Sequence, residues 1–310
     1  MVELHIDRDT YVCDERQPPL GAGAMGVVYR GHHVETGAPM AVKRVVDRYA
    51  NIPEIRARAY QEADLMFRHP NLVEMLGCCE MTPGRGPLYI VSNYVRGENI
   101  DTFINLHVRR MPNVERRICE LFMPVLDALA YIHSKGIIHM DIKPSNIMME
   151  NGRNVRLMDL GIADVGETLN VSTSGLMGTP KYAAPEQFAD ATERPMLTVA
   201  TDIYEAGITL YELITGKNPF AANTIEEVRE RHRKLTLPAT HGLSRAVHEV
   251  IVKATAANPA ERWQSATAMR AALMQAISTP QPTPWCWWKT ALVAGIVMIM
   301  TCIVAMLIYW

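Results

Sequence analysis

The stretch "HMDIKPSNIMMENGRNVRLMDLGIA", residues 139–163, holds two polar clusters separated by alternating apolar residues. In the first, Asp141 and Asn146 stand five apart with Lys143 between them. A loop carboxylate can accept a hydroxyl proton, a carboxamide oxygen can ligate Mg2+, and an ammonium can neutralise a transferring phosphoryl group. In the second, Asp159 follows Leu157 and Met158, thirteen residues past Asn146, and Gly161 comes after it. A hard carboxylate oxygen at the end of a strand is a natural magnesium ligand. Met140 is the odd member, because a thioether offers no hydrogen-bond donor to a phosphate.

Upstream, "LGAGAMGVVYRG", residues 20–31, places Gly21, Gly23, Gly26 and Val28 as GxGxxGxV. Glycines let a hairpin backbone approach phosphates and offer them its N–H groups. A dinucleotide site would set similar glycines between a strand and a helix; here both flanks read as strands. Lys43, in "MAVKRV", lies 17 residues past Gly26 on the next strand. An ammonium inside an apolar strand calls for an anionic partner, and a place beneath the hairpin suits triphosphate oxygens.

These pieces, with "APE" at 184–186, stand in the order and spacing of protein kinases. The resemblance covers about residues 11–277, and "GAGAMGVVYRG" and "GTPKYAAPE" are most similar to bacterial Ser/Thr kinases of eukaryotic (Hanks) type. Many of that group carry a single membrane span after the catalytic domain. The resemblance implies an α+β, bilobal protein-kinase fold. A small β-rich N-lobe (about 11–95) follows an N-terminal extension (1–10) and precedes a larger α-helical C-lobe (about 96–277). It also implies transfer of the ATP γ-phosphoryl group to Ser/Thr hydroxyls of proteins, with ATP and Mg2+ (or Mn2+) as cofactors.

Roles follow for matching positions. The hairpin residues Leu20, Gly21, Ala22, Gly23, Ala24, Met25, Gly26 and Val28 cover the nucleotide, and Lys43 holds the α- and β-phosphates. Asp141 orients the acceptor hydroxyl and takes its proton, Lys143 marks the Ser/Thr form of the loop, and Asn146 and Asp159 hold the metal. Glu62, on a helix, is expected to pair with Lys43, with Glu54 as the alternative. The adenine edge is expected to meet backbone groups of Asn93 and Val95, behind a small gatekeeper, Ser92. Thr179 supports Asp141 and Lys143, Glu186 pairs with Arg262, and Asp202 anchors the catalytic-loop backbone. The family's arginine at position 140 docks a phosphorylated activation segment, so Met140 implies a working loop with a changed switch. Thr168, Ser172, Thr173 and Ser174 remain modifiable.

The 310 residues carry a net charge of −2, which argues against nucleic-acid binding. Cysteines at 13, 78, 79, 119, 286 and 302 form no CxxC pair, so reduced thiols are expected, and adjacent Cys78 and Cys79 should face opposite sides of a strand. The start, "MVELHIDRDT", lacks a basic-then-apolar leader. Helical patterns run over 114–135, 199–215, 224–234, 243–256 and 264–277. A proline-rich linker (278–289) then leads to residues 290–310, which lack any charge. As a helix they span about 31 Å, matching a bilayer core. Trp285, Trp287, Trp288, Tyr309 and Trp310 flank them like aromatic belts, and Lys289 fits the positive-inside tendency. The expectation is a single-pass protein of the cell membrane with a cytoplasmic kinase domain and no sensor domain past Trp310. Ala291 and Gly295 offer a small-xxx-small pair for homodimerisation, and Cys286 is a plain thiol or a lipidation site. A membrane-tethered pseudokinase is the rival reading; retention of Lys43, Asp141, Asn146 and Asp159 together argues against it. A small-molecule kinase is a third, and "GTPKYAAPE", which resembles a peptide-docking segment, argues against that.

Overall fold

The computed structural model describes residues 1–23, 26–64, 67–82, 84–159, 180–188, 197–234 and 236–278, with only the backbone of Arg48, Glu54, Arg58, Gln61, Glu62 and Asp64. Residues Met1–Ala276 form one compact unit. The first part is an antiparallel sheet in the order β1-β2-β4-β5-β7-β6. Its strands are β1 (Val2–Ile6), β2 (Asp9–Cys13), β4 (Gly26–His33), β5 (Pro39–Val45), β6 (Met75–Thr82) and β7 (Arg85–Asn93). A short β3 (Gly21–Gly23) pairs with β4.

Period-2 alternation divides the sheet's side chains between two cores. Leu4, Ile6, Tyr11, Cys13, Met40, Val42, Tyr89 and Val91 fill one face. Val45, Cys78, Leu88 and Ile90 fill the other, against Ile55 and Ala59 of helix α2 (Pro53–Asp64), beyond the short α1 (Asp47–Ala50). Cys78 and Cys79 do face opposite sides. Lys43 shares the strand parity of Val45, hence the α2 side.

Residues 1–10, expected as an extension ahead of the domain, belong to the sheet. β1 pairs residue for residue with β2, from Val2–Cys13 to Ile6–Asp9. A Cβ on Gly77 would lie 2.4 Å from Ile6 Cγ2, so Ile6 packs directly on the β6 backbone at the far end of the sheet.

The second part is helical. After β8 (Gly97–Asn99) and α3 (Ile100–Phe103) come α4 (Val114–Ser134) and α5 (Val199–Thr215). Helix α5 is buried along nearly its whole length. It begins with a Thr198–Thr201 capping box and ends at Gly216, which adopts φ 74°. Arg109 donates to the last-turn carbonyls of Leu213 and Ile214, each at 2.6 Å. Helices α6 (Ile225–Lys234), α7 (Arg245–Ala254) and α8 (Ala266–Ser278) follow, within a residue or two of the expected spans.

A small sheet, in the order β10-β9-β8, sets the polar clusters. Strand β9 (Ile147–Glu150) begins immediately after Asn146, and β10 (Asn154–Leu157) ends two residues before Asp159. One antiparallel hairpin therefore explains the thirteen-residue gap: it returns the chain beside its starting point. The expected span at 290–310 lies outside the described residues, among which no helix is long and apolar enough to cross a membrane.

Candidate active site

The loop 139–146 hangs from helix α5. Asp202, fully buried, accepts the N–H of His139 through Oδ2 and that of Met140 through Oδ1, both at 2.8 Å. His133 Nε2 of α4 lies 2.7 Å from the same Oδ2. One turn further along α5, Glu205 accepts the Ile142 N–H at 2.8 Å, and Thr209 Oγ1 donates to the Ile142 carbonyl at 2.9 Å. Asp202 thus anchors the loop backbone as expected.

Met140 adopts φ 61°, a left-handed conformation that costs a non-glycine residue about 1–2 kcal/mol. The two carboxyl groups beneath the loop stabilise the turn. The Met140 side chain is buried, away from any solvent-borne phosphate. The His139 ring is buried too, with Nε2 2.9 Å from the Met158 carbonyl and Nδ1 accepting the Asp141 N–H at 3.4 Å. A carbonyl only accepts, so the ring proton sits on Nε2.

Asp141 Oδ2 accepts from Lys143 Nζ at 2.7 Å and from Asn146 Nδ2 at 2.9 Å. Asn146 Nδ2 also donates to the Asp141 carbonyl at 2.8 Å. Both partners are acceptors, which fixes the amide orientation and leaves Asn146 Oδ1 as a hard oxygen donor. Met158 N–H donates to the Asn146 carbonyl at 2.9 Å, which carries Asp159 to the same place. Asp159 adopts φ 53°, and its Oδ1 is 3.2 Å from Lys43 Nζ. The Lys43 cation holds the Asp159 carboxyl below the usual range. Lys43, Asp141, Asn146 and Asp159, drawn from four points of the chain, are thereby linked.

The glycine hairpin lies next to this set. Gly21 faces Val28 in the ladder and Val28 faces Lys43 on β5, so Lys43 sits beside the hairpin as expected. Leu20 N–H donates to the Val28 carbonyl at 2.8 Å. A Cβ on Gly26 would lie 2.4 Å from the Arg44 carbonyl oxygen, so this glycine is needed for strand packing. Among the described residues, a Cβ on Gly21 or Gly23 would meet only open space, so their packing does not require glycine there. Ala24 and Met25 lie outside the described residues, as do Thr168, Ser172, Thr173, Ser174 and Thr179. Glu62 is on α2 by its backbone, but its side chain lies outside them.

Ser92 and Asn93 end β7 and Val95 follows. The Asn93 N–H donates to the Glu74 carbonyl at 3.0 Å, so an adenine edge would meet the Asn93 carbonyl rather than its N–H. Glu186 and Arg262 form a buried bidentate pair at 2.7 and 2.8 Å. Among the described residues no group of three or more His, Cys, Asp or Glu side chains could hold a metal. Asp159 with the Asn146 carboxamide offers two oxygen donors, which suits a Mg2+ ion whose remaining ligands are water and phosphate.

Sequence reading missed His133, His139 and Glu205. For Glu205 a signal exists: it is a glutamate in the largely apolar "DIYEAGITLYELI", three residues after Asp202 and so on the same helix face.

The chain matches the family model for the protein kinase domain over residues 15–274. It is 33% identical over 267 residues to serine/threonine-protein kinase PknB of Mycobacterium tuberculosis, covering 83% of this chain and 41% of that protein. It is 30% identical over 262 residues to serine/threonine-protein kinase PknL of the same organism, covering 83% of this chain and 64% of that one. It therefore spans less than two thirds of these relatives' length. The crystal structure of a mutant Mycobacterium tuberculosis PknI kinase domain superposes with TM-score 0.61 at 24% identity, covering 88% of this chain and 97% of that one. The β-rich first part, the helical second part and the family match agree: this chain belongs to the protein kinase family.

Proposed function

We propose that the chain is a membrane-anchored serine/threonine protein kinase that transfers the ATP γ-phosphoryl group to protein hydroxyls. The observation that carries this reading is the pairing of Lys43 with Asp159 at 3.2 Å and of Asn146 with Asp141 at 2.8 and 2.9 Å, the two pairs joined by the Met158 N–H to Asn146 carbonyl bond at 2.9 Å. The relatives' names and Lys143 beside Asp141 support the Ser/Thr assignment.

Each residue has a task. The backbone of Gly21–Gly23 covers the phosphates; among the described residues, nothing lies within 4 Å of where a Cβ on Gly21 or Gly23 would stand. Lys43 binds the α- and β-phosphates. Asp159 and Asn146 Oδ1 would hold Mg2+, which neutralises phosphate charge when bound. Asp141 takes the proton of the acceptor hydroxyl; among the described residues Lys143 and Asn146 occupy its Oδ2, which leaves Oδ1 for the substrate. Lys143 neutralises charge on the transferring group. The Asn93 carbonyl and the Val95 backbone take the adenine edge, with Ser92 leaving space behind it. Glu62 of α2 is the proposed partner of Lys43.

The test uses the full chain in detergent with γ-labelled ATP and Mg2+. Label should enter the chain itself or a generic basic protein, and Asp141→Asn should abolish this. A wild-type chain that binds nucleotide without transfer would instead be a tethered pseudokinase.

The uncharged, aromatic-flanked residues 290–310 support the anchor. Chain truncated after Ser278 should leave the membrane fraction that retains the full chain under alkaline extraction. Met140 supports a switch independent of phosphate docking at that position, so alanine at Thr168, Ser172, Thr173 and Ser174 together should leave transfer intact. A bulky-substituted ATP should bind, and Ser92→Met should exclude it.

A further inference from the structure

The peptide unit between Asp141 and Ile142 is held at both of its polar atoms. Its carbonyl accepts from Asn146 Nδ2 at 2.8 Å, and its N–H donates to Glu205 Oε2 at 2.8 Å. The next peptide is tied to the same helix, where Thr209 Oγ1 donates to the Ile142 carbonyl at 2.9 Å. Glu205 is buried, and its second contact is the Gln187 side chain. Gln187 Oε1 accepts the Ala184 N–H, so its amide nitrogen is the atom free to donate to Glu205. One carboxyl group thus joins the loop bearing Asp141 to the segment bearing Glu186.

We propose that Glu205 is a positioning residue for phosphoryl transfer: from beneath the loop it fixes the Asp141–Ile142 peptide plane on which Asn146 closes, and so sets the placement of both Asp141 and Asn146. The proposal rests on the kinase reading above. Rotating that plane would swing the Asp141 Cα and carry the Asn146 amide with its hydrogen-bond partner. A displacement of about 1 Å among reacting groups can cost 10²-fold in rate.

Burial pushes the Glu205 carboxyl well above the usual range. The nearby carboxylates of Asp202 and then Asp141 push it the same way, while the Ile142 N–H and Gln187 oppose them. Beyond these, His133 faces Asp202 and Lys143 faces Asp141. The Glu205 oxygen that accepts the Ile142 N–H is one that a carboxamide oxygen can replace. Glu205→Gln keeps that acceptor, Glu205→Asp withdraws it by one methylene, and Glu205→Ala removes it.

The experiment measures transfer from Mg–ATP by the full chain in detergent, together with hydrogen exchange at the Ile142 amide. Glu205→Ala and Glu205→Asp should lower kcat by about 10- to 100-fold with the KM for ATP within about threefold. Glu205→Gln should recover most of that loss. Ile142 exchange should accelerate at least about tenfold in the alanine and aspartate variants but not in the glutamine variant. Should the alanine variant not fold, the aspartate variant decides. As pH rises beyond the usual carboxylate range, wild type should lose thermal stability relative to Glu205→Gln, because the folded chain holds a proton that the unfolded chain releases. Unchanged kcat in the aspartate variant, or a glutamine variant as slow as it, overturns the proposal. Unchanged Ile142 exchange overturns it even if the wild type transfers no phosphate, the outcome that would sink the kinase reading instead.

Discussion

Removing Glu186 should destabilise the helical part severely, and the structure says by how much. Arg262 is fully buried and spends all five of its N–H donors. Two go to Glu186, and three go to the carbonyls of Ala256, Ala257 and Ala200. Its guanidinium carbon lies 4.8 Å from the centroid of the Tyr204 ring. Glu186 Oε1 also accepts from Thr201 Oγ1 at 3.0 Å. Glu186→Ala would strand a buried cation without its carboxylate partner, a loss of about 3–5 kcal/mol. With a urea slope of about 2.5–3 kcal/mol per molar, the midpoint should fall by about 1–2 M. Urea titration of the full chain followed by circular dichroism reads this directly. Arg262→Met should cost a similar amount. The double variant should lose less than the sum of the two, by about 0.5–3 kcal/mol, because one charge without the other is worse than neither. Single losses below about 1 kcal/mol, or strict additivity, would refute the reasoning. The double variant should still fall below wild type, because three carbonyls lose a donor.

Two further predictions separate folding from chemistry. Gly26→Ala drives a Cβ into the Arg44 carbonyl and should lower Tm, whereas Gly21→Ala and Gly23→Ala should leave Tm unchanged and raise the KM for ATP; a Tm loss in the last two would assign them a structural role. Leu4→Ala should cost about 2–5 kcal/mol in urea titration because Leu4 is buried in the sheet core, whereas a mere extension would tolerate the change.

Much of the site was legible because its chemistry restricts residue type. Hard oxygen donors, a proton acceptor and phosphate-binding cations leave few choices, and their spacing follows from the β9–β10 hairpin. The long helices were legible through their periodicity. What escaped depended on distant partners. The apolar alternation in "VELHI" is five residues long, and its meaning comes from Tyr11, Cys13 and Gly77. Strand β7 runs through Pro87, which lies opposite a register irregularity of β6 between Glu80 and Thr82, where a proline is tolerated. Glu205 reads as one more acid of helix α5 until the Ile142 N–H, 63 residues away in sequence, is placed against it.

The central claim is that Asp141 and its linked neighbours transfer phosphate. Single-turnover transfer from Mg–ATP, measured beside nucleotide affinity for wild type and Asp141→Asn, tests it most directly. The account predicts a loss of about 10²- to 10⁴-fold in the transfer rate with affinity nearly unchanged. Equal transfer rates in the two proteins would contradict it.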